Sequence, residues 1–523
     1  MYMGIRKNDK RIGTLGLAFL LAMTMVRPAL GEQPARYQIS SEPAIQGRLT
    51  ALEGGSVRMR LEDESILSPM PQLQETKETE QVPAAYDLRK AQGRNDVSSV
   101  KDQKDASTGW TFAAAASLES NLMKKADTAS EVDLSERHLA WSVYHGENGA
   151  EDKSAYGGGD TFTIPASGAD AFTAGGGRQQ AAVTLARWYG AAAEKDAPYE
   201  EPLAEVADPT VSRIHMANAY YLPETAVRSG KSYSCDMAAL TEIKKCIMEN
   251  GAVAASYYED EKARENSGYY EAQTCSYFYP GEKPANQGIA IVGWDDGYEP
   301  ANFAGESLPE GPGAWIVKNS RGREADRDGY FYLSYYDRSL CDYTLFEAVP
   351  DQESGPKEEV YRNIYQYDGV GTGELILTDA AELKFANRYT ARGDEIIKAV
   401  GLYTLEADTM VDVSVYRSSI DGIPESGQEV YHQSTMIPYA GFHTLPMENG
   451  GFSVKAGEDF TVVASAQSGG HYQYLQEAAV DGSNLVRLDY EKGQSYYWSE
   501  ENGTWQDAVR QITVGDVPVQ LGN

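Results

Sequence analysis

The first half of the chain combines hydrophobic residues at helical spacing with later segments typical of strands. Trp110, Ala114, Leu118 and Leu122 recur every four residues, which predicts a helix with one buried face. Further helices are predicted in DLSERHLAWSVYH, with Ser135 as a cap, and in GGRQQAAVTLARWYG and MAALTEIKKCIMENG. Strands are predicted at GAVAASYY, GIAIVGWDD, GAWIVKNS and GYFYLSYYD. Helices followed by antiparallel-type strands indicate an α+β domain.

Beyond about Tyr361 the pattern changes to short runs in which apolar and polar residues alternate. Examples are AVGLYT, VDVSVYR and FTVVASA, separated by turn segments such as SSIDGIPESGQ and PMENGG. Period-two runs at this spacing predict an all-β sandwich, for example a jelly roll. No helix is predicted in this part of the chain.

Breaks in the pattern divide the chain into five segments. Basic residues, an apolar run over 12–26 and small residues up to Gly31 are typical of a secretory signal peptide, residues 1–31. Residues 32–81 are polar and predicted to be irregular, as a linker or a short pro-segment. The α+β domain is assigned to 82–350, a charged linker to 351–360 and the sandwich to 361–523. The mature protein is expected to be extracellular without a membrane span, and an uncleaved signal anchor is the alternative.

The excess of acidic over basic residues makes some classes of binding partner unfavourable. Lys and Arg total 46 against 78 Asp and Glu, a formal net charge of −32. Nucleic acid and anionic membrane surfaces are therefore unfavourable partners. The acidic excess is explained by solubility outside the cell, and Ca²⁺ binding by some carboxylates is the alternative. Tyr outnumbers Phe by 35 to 12, which suits wet surfaces, grooves or sugar faces.

The cysteines form an even set in a chain predicted to leave the reducing cytosol. They are Cys235, Cys246, Cys275 and Cys341. One or two disulfides are expected, and the sequence does not choose among the pairings. No C-x-x-C pair is present, so zinc binding is not indicated.

Several sequence blocks of the region 82–350 resemble the papain-like cysteine peptidases, family C1. In chain order they are YDLR, DQ followed by WTFA, DLSERHL, the glycines at 175 and 176, NQGIAIVGWDD, WIVKNSRG and DGYFYLSYYD. The resemblance implies a helical half and an antiparallel β half with a peptide-binding groove between them. In that family a cysteine at a helix N-terminus is activated by a histidine, which an asparagine orients.

Two of these three catalytic positions are changed. Gly109 stands where the resemblance places the nucleophile, directly before Trp110, and Gln287 stands at the histidine position. Asn319 matches the orienting asparagine and Gln103 matches the glutamine that helps to hold an oxyanion. An amide at Gln287 cannot accept a proton at neutral pH, so the domain is predicted to be inactive. Gln287 and Asn319 are expected to bond to each other or to an amide of a ligand.

Supporting positions also differ from the family pattern. Ala106 replaces a cysteine that forms a disulfide in the family, and Arg321 replaces a tryptophan beside the histidine. Ser107 and Thr108 are interpreted as turn or helix-cap residues rather than substitute nucleophiles. None of the six histidines occupies the base position.

The C-terminal region is similar to the lectin-like domain that follows the peptidase domain in some clostridial surface cysteine peptidases. The similar segments are YTARGDEIIKAVGLYT, VDVSVYR and FSVKAGEDFTVV. This resemblance suggests carbohydrate or cell-surface contact and a bound Ca²⁺; no other cofactor is expected. The sequence thus predicts a secreted pseudo-peptidase that binds a peptide, a protein or a glycan. An active hydrolase with non-standard residues and a structural surface protein are the alternatives.

Overall fold

The structure is a computed structural model that describes most of the chain from residue 82 onwards. The described residues are 36–38, 46–51, 57–61, 82–125, 132–145, 160–164, 169–189, 191–200, 214–229, 232–260, 262, 266–305, 307–349, 361, 363–370, 374–378, 382–476, 478–480, 486–487, 491–499, 503–514 and 517–521. The predicted signal peptide (1–31) and the predicted linker (351–360) lie outside them. The described parts of 82–349 form the N-terminal region, and the described parts of 361–521 form the C-terminal region.

Residues 32–81, predicted to be irregular, contain three short strands that pair antiparallel. They are β1 (Arg36–Gln38), β2 (Gln46–Ala51) and β3 (Val57–Leu61). The irregular prediction is wrong for these residues. The sequence VRMRL alternates apolar and charged residues, which is a strand pattern that the polar composition of the segment obscured.

Four α-helices lie in the described part of the N-terminal region, at the four predicted places. They are α1 (Gly109–Lys125), α2 (Glu136–Tyr144), α3 (Arg178–Ala186) and α4 (Met237–Asn250). Ser135 caps α2, since its Oγ accepts a hydrogen bond from His138 N at 3.0 Å. Asp236 caps α4 in the same way, and α4 ends at Gly251, whose φ of 107° suits glycine.

The strands of the N-terminal region build most of a large sheet. They are β4 (Ala85–Asp87), β5 (Thr161–Phe162), β6 (His215–Tyr221), β7 (Ala226–Ser229), β8 (Ser232–Cys235), β9 (Val253–Tyr257), β10 (Tyr270–Glu271), β11 (Ser276–Tyr277), β12 (Gln287–Asp295), β13 (Ala314–Lys318), β14 (Tyr330–Ser334) and β15 (Cys341–Val349). The four predicted strands correspond to β9, β12, β13 and β14.

Two hydrophobic cores lie on either side of α1. The helical side packs Trp110, Ala114 and Leu118 of α1 against α2, α3 and β6. The strand side packs β9, β12, β13 and β14 around the fully buried Trp294 and Trp315. This two-part arrangement places the N-terminus of α1 next to the first residues of β12.

The C-terminal region consists of strands, as predicted. They are β16 (Glu374–Thr378), β17 (Phe385–Thr390), β18 (Glu395–Ile397), β19 (Ala399–Thr404), β20 (Thr409–Arg417), β21 (Gln428–Ile437), β22 (Ala440–Pro446), β23 (Phe452–Val454), β24 (Asp459–Ser468), β25 (His471–Gln476), β26 (Ala478–Val480), β27 (Val486–Arg487), β28 (Ser495–Ser499), β29 (Thr504–Asp507), β30 (Arg510–Val514) and β31 (Val517–Leu521). Eight of them form one sheet, with the path β16-β25-β24-β17-β28-β29, with β20 paired to β24 and with β21 paired to β20.

Strand pairing joins the N-terminal and the C-terminal region, a feature that the sequence did not predict. The short strand β27 pairs with β5, and one larger sheet contains strands of both regions. Its eleven strands follow the path β10-β11-β14-β13-β12-β9-β15-β6-β22-β19, with β4 paired to β12. β22 pairs antiparallel with β6 from Ala440 opposite Tyr221 to His443 opposite Asn218. Phe442 packs in the helical core of the N-terminal region. The two regions therefore share backbone hydrogen bonds and apolar packing.

The predicted disulfides are absent: all four cysteines are free in the structure. They lie on separate elements, with Cys246 buried inside α4, where it packs as a small apolar side chain among the residues of the strand-side core. Burial raises the pKa of the Cys235 thiol to about 12, which makes it a poor nucleophile. Among the described residues, no helix has the length and apolar character required to span a bilayer.

Candidate active site

The fold brings Gly109 and Gln287 together through the close approach of β12 to the start of α1. A Cβ atom on Gly288 would lie 2.7 Å from Trp110 Cα and 2.8 Å from Gly109 O. Glycine at 288 therefore allows the strand to lie directly against the helix backbone. As a result Gln287, the first residue of β12, stands beside Gly109, the first residue of α1.

The Gln287 amide occupies the space that a side chain at position 109 would require. A Cβ atom on Gly109 would lie 2.1 Å from Gln287 Nε2 and 2.8 Å from Gln103 Oε1. These separations are shorter than van der Waals contact. The glycine and the glutamine are therefore sterically matched, and a cysteine at 109 would require Gln287 to move.

Hydrogen bonds hold the Gln287 amide in this place. Gln287 Nε2 donates to Gln103 Oε1 at 3.0 Å, to Ser320 Oγ at 3.1 Å and to Gly288 O at 3.0 Å. Ser320 Oγ in turn donates to Gln103 Oε1 at 2.6 Å. Ser320 belongs to the block that resembles the asparagine segment, but no pattern in the sequence indicated that its hydroxyl joins the site.

Gln103, the predicted oxyanion glutamine, directs its amide nitrogen into its own loop. Gln103 Nε2 donates to Ala106 O at 2.7 Å, and the residue is only 2 % exposed. Its Oε1 already accepts from Gln287 and Ser320. One of the two N–H groups that would stabilise a developing negative charge is thus engaged by the protein itself.

Asn319 lies close by but makes different contacts from those predicted. Its Nδ2 donates to Asp326 and its Oδ1 accepts from Arg321 N at 3.0 Å. No hydrogen bond joins Asn319 to Gln287 among the described residues, so the first of the two predicted alternatives is not observed, and a bond to a ligand amide stays a prediction. The reason is local, because Asp326 lies within hydrogen-bond distance of the Asn319 amide nitrogen and the backbone N–H of Arg321 lies within hydrogen-bond distance of the amide oxygen.

Arg321, at the position where the resemblance places a tryptophan, forms an ion pair instead. Its Nη2 lies 2.7 Å from Glu259 Oε2 and 3.5 Å from Gln287 Oε1. Glu259 is fixed by Asn286, whose Oδ1 accepts from Glu259 N at 2.7 Å. The sequence showed the substitution at 321 but not this pair, because Glu259 comes from a distant loop.

The candidate substitute nucleophiles have no base in contact. Thr108 is fully buried, and its Oγ1 lies 2.7 Å from Tyr199 OH. Ser107 is exposed at the loop surface. Among the described contacts, no histidine touches Ser107, Thr108 or Gln287; His145, for example, stacks on Trp141 at 3.6 Å.

The predicted substrate-edge loop packs against the helix start. A Cβ atom on Gly176 would lie 2.3 Å from Trp110 Cε2, so only glycine fits there. Tyr144 OH donates to Gly175 O at 2.8 Å and holds the loop. The glycine loop thus lies directly on the indole of Trp110.

A buried charge network supports the loop that carries Gln103. Lys101 Nζ lies 2.9 Å from Glu136 Oε1 and 3.4 Å from Glu119 Oε1. Burial raises the pKa of Glu136 to about 8, against the attraction of the Lys101 ammonium. The network ties residue 101 to α1 and α2. The described residues contain no group of three or more His, Cys, Asp and Glu side chains that would hold a metal ion, so the Ca²⁺ expectation stays a prediction.

Comparison with known families identifies two matches along the chain. The papain family cysteine protease pattern matches residues 82–348, which is more than half of the chain. The lectin-like domain pattern matches residues 364–519. No curated protein matches the sequence.

Solved structures show the same arrangement of domains. The clostridial cysteine protease Cwp84 after propeptide cleavage superposes with a TM-score of 0.63 at 22% identity, over 84% of this chain and 98% of that one. The cysteine protease and lectin-like domains of Cwp84, a surface layer associated protein of Clostridium difficile, give 0.62 at 22% identity, over 85% and 89%. The predicted fold class, a papain-like α+β domain followed by a lectin-like all-β domain, is confirmed.

Proposed function

Since this chain belongs to the papain family of cysteine proteases, we propose that it is a member without catalytic activity that acts by binding. The observation that carries this proposal is the Gln287 amide, which fills the nucleophile position above Gly109. An acyl-enzyme needs a nucleophilic atom, a base and a free donor for the oxyanion. Here position 109 has no side chain, position 287 has an amide, and the Gln103 amide donates to Ala106 O.

The ligand of the groove is proposed to be a peptide or protein segment. The groove between the helical and the strand-rich half depends on packing rather than on catalysis, so the loss of the nucleophile leaves its walls in place. Trp110 with Gly176 forms one wall, and the Arg321–Glu259 ion pair lies on the other side of Gln287. Titration with peptide libraries tests this part, and an absence of saturable binding at high micromolar concentration contradicts it.

The lectin-like domain is proposed to contact carbohydrate, and the mature protein is proposed to be secreted and to act at the cell surface. Support comes from the signal-peptide pattern of residues 1–31 and from the surface-layer association stated for Cwp84. A glycan array probed in Ca²⁺ and in a chelator tests the carbohydrate contact and the Ca²⁺ expectation together.

The decisive experiment for inactivity is an assay of the mature protein on casein and on peptide substrates. We expect no hydrolysis by the natural protein and none by Gly109→Cys alone, because the new side chain meets Gln287. The double variant Gly109→Cys with Gln287→His restores a thiol and an imidazole, and it is expected to react with a thiol-directed peptidase inhibitor at residue 109.

The control for the active-hydrolase alternative is Thr108→Val. Hydrolysis by the natural protein that survives stringent purification and is lost in Thr108→Val would contradict the proposal. The same conclusion would follow for Ser107 from a Ser107→Ala variant.

A further inference from the structure

A large cavity lies where the lectin-like domain meets the papain-like domain. Its volume is about 790 Å³, within the range of about 300–1,000 Å³ typical of small-molecule sites. The papain-like domain contributes the end of α3 with Val183 and Ala186, Trp188 just after that helix, and Met216 of β6. The lectin-like domain contributes β17 and β24, which are paired neighbours in the eight-stranded sheet, and β19 of the eleven-stranded sheet.

The cavity leaves part of the sandwich interior open. Phe385, Val400 and Val462 line it and are only half-buried, although each packs at the margin of the sandwich core. Interior positions of a sandwich are normally closed by side chains from the two sheets. The exposed Asn363, Asp394 and Ile396 also line the cavity and provide a rim toward solvent.

Trp188 lines this cavity, and its backbone has a strained conformation. Its φ is +67°, a left-handed conformation that is a genuine outlier for a bulky residue. Glycine or asparagine is the usual residue in this conformation just after a helix. One face of the indole stacks on His215 at 4.3 Å, and the ring is only half-buried. A large aromatic side chain is thus held at the junction despite the cost to the backbone.

Neutral polar groups project from the facing sheet. Asn387 and Ser495 are cross-strand partners on β17 and β28 and both line the cavity. Ser495 is 3 % exposed, and among the described residues its hydroxyl has no hydrogen-bond partner. Gln366 Nε2, also on the wall, is buried and equally unpaired within the described part of the chain. Unpaired buried polar atoms at a cavity wall offer hydrogen bonds to a polar ligand or to ordered water.

The carboxylates at 394 and 395 on the wall are engaged by protein partners. Asp394 pairs with Lys455 Nζ at 2.8 Å, and Glu395 accepts from Asn363 Nδ2 at 2.9 Å. Burial, together with the neighbouring Asp160, raises the pKa of Asp368 to about 7. A cation is therefore not favoured over a neutral ligand.

We propose that this cavity binds a short neutral oligosaccharide, with Trp188 as the aromatic platform and Asn387 and Ser495 as hydrogen-bonding groups. Aromatic faces pack on the C–H faces of sugar rings, while amides and hydroxyls pair with sugar hydroxyls. The inference rests on the proposed carbohydrate contact of the lectin-like domain, and it assigns that contact to this cavity. The site needs both domains, since Trp188 and Asn387 belong to different ones.

The test uses the mature full-length chain on an array of neutral disaccharides to tetrasaccharides, followed by calorimetric titration of the strongest binder. Trp188→Gly is expected to remain folded, because the relief of the positive φ offsets part of the lost indole packing, and to bind at least about tenfold more weakly. Ser495→Ala, which removes an unpaired hydroxyl, is expected to weaken binding about fivefold. The matched control is Trp141→Ala, a tryptophan that also stacks on a histidine but does not line the cavity.

The possible results distinguish the proposed cavity site from the wider proposal that the lectin-like domain contacts carbohydrate. Sugar binding that is unaffected by Trp188→Gly and Ser495→Ala overturns the site while leaving carbohydrate contact elsewhere intact. Silence of the whole array overturns both carbohydrate proposals but not the proposed loss of catalysis. Displacement of an apolar dye from the cavity, with no effect of sugars, indicates an apolar ligand and also overturns the inference.

Discussion

At the scale of single residues, the candidate active site is defined by a pair of mutually adapted side chains. Gly109 offers no atom beyond its backbone, and Gln287 fills the space with an amide held by Gln103 and Ser320. The two positions depend on each other for steric reasons. A side chain at 109 would clash with the Gln287 amide in its observed place, and the amide in that place leaves no room for a side chain at 109.

The first prediction is a steric coupling between positions 109 and 287. Gly109→Ala is expected to lower the free energy of unfolding by about 1–3 kcal/mol, because its Cβ meets the Gln287 amide. In a Gln287→Ala background the same change should cost less, since only the contact with Gln103 Oε1 at 2.8 Å remains. Urea unfolding of the two single variants and the double variant measures this.

The matched control is Gly268→Ala, because a Cβ atom there meets nothing within 4 Å. It is expected to change the unfolding free energy by less than about 0.5 kcal/mol. Additive effects of the changes at 109 and 287 would show that the two side chains do not compete for the same space.

The sequence located these positions but not their contacts. The order of blocks such as DQ, WTFA and NQG placed Gln103, Gly109 and Gln287 within one expected site, although their assigned roles stay predictions. The direction of the Gln287 amide depends on Ser320, and that of the Asn319 amide on Asp326. The rotamer of each amide depends on which side chains the fold places next to it. A local sequence pattern does not contain that information.

At the scale of elements, β22 carries a buried histidine into the joint between the domains. His443 is 3 % exposed, its Nε2 lies 3.1 Å from Thr404 Oγ1, and its ring lies 5.6 Å from that of Tyr220 on β6. Burial lowers the pKa of His443 to about 4, since the charged form loses its hydration.

The second prediction is a loss of stability in acid that depends on this residue. Because the folded-state pKa lies below the unfolded value of about 6.5, the unfolded chain takes up a proton first as the pH falls. His443 therefore destabilises the fold between about pH 6.5 and pH 4, by about 2 kcal/mol at pH 5. Unfolding free energies of the natural protein and His443→Gln at pH 8 and pH 5 measure the effect.

The expected result is a pH 8 to pH 5 decrease that is about 2 kcal/mol smaller in His443→Gln. The exposed His432 serves as the control, and His432→Gln should leave the decrease unchanged. Equal decreases in the natural protein and in His443→Gln would show that position 443 takes up its proton equally in both states.

Elements with a strong period were predictable from the sequence, whereas pairing partners were not. The stripe of Trp110, Ala114 and Leu118 predicted α1, and AVGLYT predicted β19. The pairing of β22 with β6 was not predictable, because a period-two pattern shows which face is buried but not which strand lies alongside. The three strands within 32–81 were missed because their polar residues dominate the composition.

At the scale of the whole molecule, the shared sheet makes the two domains mechanically one unit. β22 continues the sheet of the papain-like domain, and Phe442 enters its helical core. The junction depends on Gly441, whose φ is +122° and where a Cβ atom would lie 1.9 Å from Ala219 O. The clash is with backbone, so a small side-chain shift does not relieve it.

The third prediction concerns this junction. Gly441→Ala is expected to destabilise the protein by about 1–3 kcal/mol or more and to increase proteolytic cleavage between the domains. The control is Gly457→Ala, because residue 457 also has a positive φ, +77°, but a Cβ atom there would meet nothing within 4 Å. Chemical unfolding and limited proteolysis of both variants check this, and equal effects would assign the loss to backbone strain alone.

The strand pairing at the junction also has a protective consequence. Without β22 the outer side of β6 would present a row of unpaired N–H and C=O groups, the kind of surface on which other chains add strands and aggregates grow. The lectin-like domain thus covers the edge of β6 with two further strands, β22 and β19, and so protects the sheet of the papain-like domain at this place.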